Sequence, residues 1–470
     1  MDELIKRERD RRYIIMLVKI GVENFKSSNE ATELTMVSSS KIRANKGHSV
    51  KINNTKLLKY GVIYGANASG KTNVVEFFRF FKQCVESGIP IEATSMFCKN
   101  SKANKDKKSV FEMQINIGKK FYAYGFEVIL SKRKIVGEWL YELCSDGTAR
   151  VLFDREKNER PTLSENILLE EAEATRFEIY ADDFEENKMS SSSLFLSEMN
   201  RGKKYASHSQ LLFFEEVYEW IRNNIIVITP NASLVDFEYY YQDDSLKLVN
   251  QLIQTFDTGI SQVEIKKISM DELRNSIPKS SFERAMSHIK RGLEIREDIE
   301  TINMTMRVNN SFFNIEVKGR EEPKVTTIRL QHNQSFYDFG FEEESDGTRR
   351  IFDLMDMLLN RRDDVIYVVD ELERSLHPKL TAHFLQLFME LHANHRMQLL
   401  FTTHEASIMD QAIFRRDEIW FVERNAGSDS RIYSLDRFKE RYDKVLSKAY
   451  LEGRYGAIPV FSSFEFEKEE

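Results

Sequence analysis

The segment that most restricts this chain is Gly65-Ala66-Asn67-Ala68-Ser69-Gly70-Lys71-Thr72. Two glycines bracket four residues, and a lysine and a hydroxyl residue follow at once, which is the P-loop pattern. A polyphosphate needs several backbone N–H groups converging on it, and a side chain at either glycine would block that approach. The apolar run 58–64 reads as a short buried strand entering the turn. A helix is expected from about 71 to 86, so that its positive end faces the phosphates. Lys71 then neutralises the β and γ oxygens as a point charge, and Thr72 offers a hydroxyl to Mg2+.

Three further segments fit the same chemistry. Val365-Ile366-Tyr367-Val368-Val369 reads as a strand buried on both faces of a parallel sheet. Asp370 and Glu371 follow at its carboxyl end, where ligands bind in open α/β sheets. Asp370 is placed to hold Mg2+ through its water shell, and Glu371 to orient and polarise an attacking water. A second apolar run, Leu399-Leu400-Phe401-Thr402-Thr403, delivers His404 to the same sheet edge, 34 residues after Asp370. That position favours a γ-phosphate contact over a surface histidine. Finally, Glu344-Ser345-Asp346-Gly347-Thr348-Arg349-Arg350 precedes a helical run and reads as a helix N-terminus. Taken alone, ordinary capping by Ser345 or Asp346 explains it; a second phosphate-binding cap is the functional reading.

Composition closes off other classes. Of 470 residues, 41% are apolar and 30% charged, with 7 prolines, which excludes collagen-like, low-complexity and wholly disordered chains. The net charge of −7 argues against a generally basic coat for nucleic acid, though not against a local basic patch. Cys84, Cys98 and Cys144 are too few for a disulfide framework and form no CxxC pair, so a reducing, cytoplasmic setting is expected. The apolar runs 14–18 and 365–369 are far below the roughly 20 residues of a membrane span. Residues 1–15, with Lys6, Arg7, Arg9, Arg11 and Arg12, read as a charged N-terminal extension, and Met16 as an alternative start.

The pattern along the chain gives four parts: the extension 1–15, an N-terminal lobe 16–159, a mostly helical insertion 160–302 and a C-terminal lobe 303–470. Alternation over 16–38 fits two short strands, and 110–152 an antiparallel sheet. Residues 39–59 hold Lys41, Arg43, Lys46, Lys51, Lys56 and Lys59 and no acid. This stretch is either a solvated loop or one facing an anion. The lysine-rich 99–108 is expected to be solvated. Strands return over 303–342, and an α/β region runs from Gly347 to about 423.

In order, the P-loop, Ser-x-Gly-Thr, the apolar run with Asp-Glu, Ser375-Leu376-His377-Pro378 and His404 resemble the ABC-type ATPase heads of the SMC, RecF and OLD group. The resemblance covers roughly 16–155 and 303–459. It implies a P-loop NTPase of ABC-ATPase type, a split two-lobe α/β head with an antiparallel β subdomain and a helical insertion. It also implies ATP and Mg2+ as cofactors and a functional dimer. Ser345, Gly347 and Thr348 then correspond to the signature that contacts nucleotide on the partner subunit, 375–378 to the D-loop, and His404 to the switch histidine. Val22-Glu23-Asn24-Phe25-Lys26-Ser27 is similar to the family's first strands, which places Asn24 and Lys26 near the nucleotide. The glutamine that such heads carry is not identifiable; Gln114 is a candidate, but it reads better as an outward-facing strand residue. The spacing from Lys71 to Ser345 is 274 residues, so a transporter head is not expected; no long heptad pattern appears, so coiled-coil arms are not expected, and the 66 residues after His404 are too few for a fused nuclease.

The P-loop and the segment 450–459 (Tyr450-Leu451-Glu452-Gly453-Arg454-Tyr455-Gly456-Ala457-Ile458-Pro459) look most like the stand-alone bacterial phage-defence ATPases, RloA-like and PARIS AriA-like. That likeness implies a sensor or scaffold working with a separate effector such as a TOPRIM-type nuclease. A RecF-like ATPase of DNA repair or maintenance is the alternative, for which the basic stretches are the hint of nucleic acid.

Overall fold

The computed structural model describes residues 15–156, 160–186, 191–230, 243–295, 301–308, 311–319, 321–333, 335–360, 362–425, 427–439 and 445–459. The expected extension 1–15 therefore lies outside the described residues except for Ile15, as does the acidic C-terminal end. Two compact units are formed. The first is Met1–Thr229 with Arg362–Leu372 and His392–Glu470, and the second is Pro230–Arg361 with Glu373–Leu391.

The centre of the first unit is a sheet of six strands among the described residues. Their order is Ile225–Ile228, Ile366–Val369, Gln398–Thr403, Tyr60–Tyr64, Ile419–Arg424 and Ser430–Ser434. The first five run parallel and the last antiparallel. Every residue of the three strands Tyr60–Tyr64, Ile366–Val369 and Gln398–Thr403 is buried, which is why each reads as an unbroken apolar run rather than an alternating one. The strand ending in Thr403 lies between the P-loop strand and the one ending before Asp370. Three neighbouring carboxyl ends thus deliver the P-loop, Asp370-Glu371 and His404 to one edge.

A second sheet, antiparallel, has the order Thr162–Leu163, Ala149–Glu156, Lys134–Leu143, Lys120–Ile129, Ser109–Ile117, Ile15–Glu23 and Thr32–Thr35. It joins the strands expected over 16–38 to those expected over 110–152. The helix Lys71–Ser87 packs between the two sheets. Its Phe77, Phe78, Phe80 and Phe81 are all buried, with Phe80 4.8 Å from Phe111 and Phe81 5.3 Å from Phe126 between ring centroids. Aromatic side chains of this size bury most of the helix surface, so the start of the helix, where the phosphates would sit, is held by a rigid core.

Residues 39–59 are not a plain loop. They form a hairpin, Ser49–Ile52 with Thr55–Leu58, closed by Asn53 in a left-handed conformation (φ 52°). Lys59 is buried, and its ammonium donates to the carbonyls of His392 (3.4 Å) and Ala393 (2.7 Å). Burial holds its pKa below the usual lysine value.

The second unit contains the antiparallel strands Ile260–Ile268, Lys324–His332, Ser311–Lys318 and Thr301–Val308, with Phe339–Gly340 beside Lys324–His332. Its helices include Lys279–Ile295, Asp346–Leu359 and Pro378–Leu391. Residues 160–302, expected as one mostly helical insertion, are divided between the two units and supply strands to both, Thr162–Leu163 and Ile225–Ile228 to the first and Ile260–Ile268 and the start of Thr301–Val308 to the second. Among the described residues no helix is long and apolar enough to cross a membrane.

Candidate nucleotide site

The two P-loop glycines are sterically required. A Cβ on Gly65 would come within 2.4 Å of the Val422 carbonyl and 2.5 Å of Ser69 Oγ. Gly70 has φ 109°, and a Cβ there would sit 2.4 Å from Ser430 Oγ and 2.8 Å from Ser27 Oγ. Groups from distant segments therefore pack closely against the loop. Ser430 Oγ donates to the Ser69 carbonyl at 2.6 Å. With its proton committed there, Ser430 accepts from Ser27 Oγ at 2.6 Å, and Ser27 in turn accepts from Asn73 Nδ2 at 2.6 Å. The backbone repeats the link, with Ser430 N donating to the Ser27 carbonyl at 2.8 Å. Lys71 is buried along the loop, its ammonium donating to the carbonyls of Gly65 (2.8 Å) and Ala66 (3.0 Å).

The carboxylates lie where the strand order brings them. Asp370 is buried, and its Oδ1 accepts from Thr402 Oγ1 at 2.6 Å and from Thr72 Oγ1 at 3.4 Å. Thr402 also accepts from the backbone N–H of Glu371 at 2.8 Å. Glu371 has φ 48°, a left-handed conformation that is uncommon for a residue of its kind and that persists only where its surroundings fix it. Here the Thr402 hydroxyl does so. A cavity of about 720 Å3 opens over the loop, within the usual range for ligand sites. Residues 67–73 line it together with Lys26, Ser27, Phe97, Glu371, His404 and Arg424. Gly65 and Ala66 lie behind the lining, where they accept from Lys71.

One expectation needs correction. Asn24 does not line the cavity: it is buried, its Nδ2 donating to the Asn104 carbonyl at 2.9 Å and its Oδ1 accepting from Cys98 N at 3.1 Å. It anchors the segment 98–104, while Lys26, two residues on, does reach the cavity. Gln114 donates to Glu112 Oε1 at 3.0 Å and does not line the cavity either. Ser345, Gly347 and Thr348 belong to the second unit. Ser345 caps the helix Asp346–Leu359, accepting from Thr348 N at 3.1 Å. A Cβ on Gly347 would stand 2.8 Å from the Ser375 carbonyl, so this glycine and the 375–378 turn are fitted to each other. Glu344, just before the cap, is buried with its Oε1 2.6 Å from His332 Nε2.

The sequence did not single out Thr402, Ser27, Asn73, Ser430, Phe97 or Arg424. Thr402 had a signal, being one of two hydroxyl residues that end a largely apolar strand just before His404. Ser430 had none.

The buried parallel strands, the P-loop and the acidic strand end two strands away define a P-loop NTPase. More narrowly, the chain belongs to the family described as "AAA domain, putative AbiEii toxin, Type IV TA system", whose profile matches residues 62–410. No curated protein matches the sequence. The solved structures that are similar at low identity include three SMC heads. An Smc head bound to the C-winged helix domain of ScpA shares 12% identity over 89% of this chain and 97% of that one, with a TM-score of 0.38. The Smc head domain with an extended coiled coil from Pyrococcus furiosus, bound to the C-terminal domain of ScpA, shares 14% over 94% and 100%, also at 0.38. The SMC head domain of Thermotoga maritima shares 12% over 89% and 98%, at 0.33. The fold assignment rests on the strand order and the loop, not on these likenesses.

Proposed function

We propose that the chain binds and hydrolyses Mg2+-ATP at an interface between two of its own copies, as the sensor or scaffold of an anti-phage defence system that controls a separate effector protein. The observation that carries the chemistry is the cluster Thr72–Asp370–Thr402 beside a cavity into which Glu371 and His404 open. The backbone N–H groups of the loop and the first turn of its helix receive the phosphates. Thr72 Oγ1 and Asp370 Oδ1, two oxygen donors 3.4 Å apart, suit a small hard cation that keeps most of its waters, and these residues would hold Mg2+. Held there, the ion would supply positive charge to offset that of the phosphates.

The protein's own groups do the rest. Lys71 offsets phosphate charge. Glu371 orients the attacking water and takes up its proton, aimed by the hydrogen bond that fixes its backbone. His404 donates to the γ-phosphate as charge builds on it. A single P-loop covers one side of a triphosphate. Donors on the other side come from Ser345, Gly347 and Thr348 of a second copy.

Two things support the defence role: the family's own description as a toxin-antitoxin component, and the resemblance of the P-loop and 450–459 to RloA-like and PARIS AriA-like ATPases. The 450–459 segment also has a packing task. Tyr450 Oη donates to the Ala457 carbonyl at 3.0 Å, and the Tyr455 carbonyl accepts from Tyr433 Oη at 2.7 Å. Its effector is proposed as a nuclease of TOPRIM type.

Glu371→Gln tests the chemistry. It is expected to keep ATP binding while turnover falls by about 100-fold or more; unchanged turnover from pure protein removes Glu371 from this role. Phage plating with Lys71→Ala tests the defence role separately. Equal plaque counts for wild type and variant would sink that role and leave the ATPase standing.

A further inference from the structure

A second cavity in the first unit, of about 760 Å3, has a lining unlike the first. Arg43, Lys46, Lys51, Lys56 and Arg415 line it, with the hydroxyl side chains of Ser38, Ser39, Ser40, Ser49 and Thr55, and no Asp or Glu. The chain from residue 34 to residue 75 contains no acid at all.

The charge is not matched locally. Arg415 is the exception. It is buried, and its guanidinium pairs with Asp417 at 2.7 Å while also donating to the Ala44 carbonyl (2.7 Å) and Ser38 Oγ (2.9 Å). Asp417 Oδ2 also accepts from Ser39 N at 2.7 Å. The Arg415–Asp417 pair therefore braces the 38–44 wall and contributes little net charge. Arg43, Lys46, Lys51 and Lys56 are exposed, and among the described residues no carboxylate lies within 4.0 Å of their charged groups. Lys51 and Lys56 are moreover direct cross-strand partners in the hairpin. Like charges directly opposite each other destabilise a strand pair. The hairpin keeps this arrangement although neutral residues would serve the fold better, which is the mark of a site whose charge is meant for something else.

We propose that this cavity is a second binding site, for a run of closely spaced phosphates. Four unmatched cations beside several hydroxyl donors recognise phosphate oxygens well. The apolar lining is limited to Val37 and Ile42, so no aromatic ring is present on which bases could stack. Recognition is thus of the phosphates and is indifferent to sequence. The source of the phosphates is the backbone of a single-stranded nucleic acid or a soluble oligophosphate.

The test uses the full chain and a fluorescent single-stranded oligonucleotide, read by anisotropy across a salt series, with inorganic tripolyphosphate as competitor. The double variant Lys51→Ala, Lys56→Ala is expected to bind about tenfold more weakly or worse, with a salt slope lower by about 1 to 1.5. Its ATP hydrolysis should be unchanged, and its thermal midpoint equal or higher because a like-charged pair is gone. A Lys71→Ala background keeps the P-loop from accounting for the competition. Oligonucleotide binding that tripolyphosphate displaces only at high excess identifies a nucleic-acid backbone. Displacement at matched phosphate identifies a soluble oligophosphate, as does tripolyphosphate binding in calorimetry that the double variant loses. Equal binding and equal salt slopes for wild type and the double variant overturn the proposal. So does polyglutamate displacing the probe as well as phosphate does at equal charge, because the site would then read acidity and not phosphate.

Discussion

At the scale of single residues, the site depends on groups that touch no nucleotide themselves. Thr402 is the clearest. Its one hydroxyl donates to Asp370 and accepts from the Glu371 backbone, so it sets both the metal-holding carboxylate and the water-activating one. Thr402→Val preserves the shape and deletes both bonds. A buried carboxylate oxygen and an N–H then each lose one hydrogen bond, a cost of about 1–3 kcal/mol. Because Glu371 is held in a left-handed conformation at this point, part of that cost is expected to appear as a loss of aim. The expected outcome is a fall in turnover of about tenfold or more, against a smaller change in ATP affinity, since the P-loop is untouched. Turnover at saturating ATP and a separate binding isotherm make the comparison. A variant that loses affinity and keeps turnover would show that Thr402 serves the loop and not the carboxylates.

At the scale of elements, the parts that could be read from sequence were those whose signal is local. The P-loop, its strand and its helix follow from eight consecutive residues and an apolar run, and Asp370-Glu371 follows from one strand end. The strand Ile260–Ile268 (ISQVEIKKI) was hidden because it has few buried positions and carries Glu264, Lys266 and Lys267, a mixture that helices show too. Asn24 was misplaced for the opposite reason: its type suits a phosphate contact, but just past the strand Ile15–Glu23 its backbone is left-handed (φ 51°) and its side chain is buried, holding the 98–104 segment. Gln398 had no local signal. It is buried beside the irregular register at Leu17–Lys19, accepting from Leu17 N at 2.6 Å and donating to the carbonyls of Leu17 (3.1 Å) and Leu58 (2.9 Å). Such a latch joins residues 381 apart, and only the fold reveals it.

The contact between the 49–58 hairpin region and the central sheet yields a pH prediction at the same scale. Glu418, fully buried just before the strand Ile419–Arg424, meets His48 Nδ1 at 3.1 Å and accepts from Arg415 N at 2.7 Å. Burial pushes its pKa up from 4.5 to about 7, the His48 contact opposes that rise, and neighbouring Asp417 adds to it. The folded state therefore binds more protons than the unfolded one between those two values. Stability from this group is present at the acid end and is lost as pH climbs from about 4.5 to about 7. Glu418→Gln removes the titration and keeps an acceptor for Arg415 N. Relative to wild type, the variant should gain about 3 kcal/mol across that window. Urea unfolding at a series of pH values measures the difference, and two stability curves that stay parallel would refute it.

At the scale of the whole molecule, the composite-site proposal rests on a division of labour within one chain. The P-loop, Asp370, Glu371 and His404 belong to one compact unit, and Ser345, Gly347 and Thr348 to the other. If the second set acts on a neighbouring copy, each site of a two-fold dimer takes its loop from one subunit and its serine cap from the other. Two lesions then separate what a single variant cannot. Lys71→Ala abolishes the loop half and leaves the cap; Ser345→Ala does the reverse, and each pure protein is expected to be nearly inactive. Mixed and allowed to exchange, half of the dimers carry one copy of each. Within such a dimer one site has both lesions and the other has none. Activity should recover to about a quarter of wild type, because half the dimers each hold one intact site of two. A cap that served its own chain's loop would leave every site with one lesion, and mixing would restore nothing. Steady-state hydrolysis before and after exchange distinguishes the two, with the Lys71→Ala and Ser345→Ala proteins each mixed with themselves as the baseline.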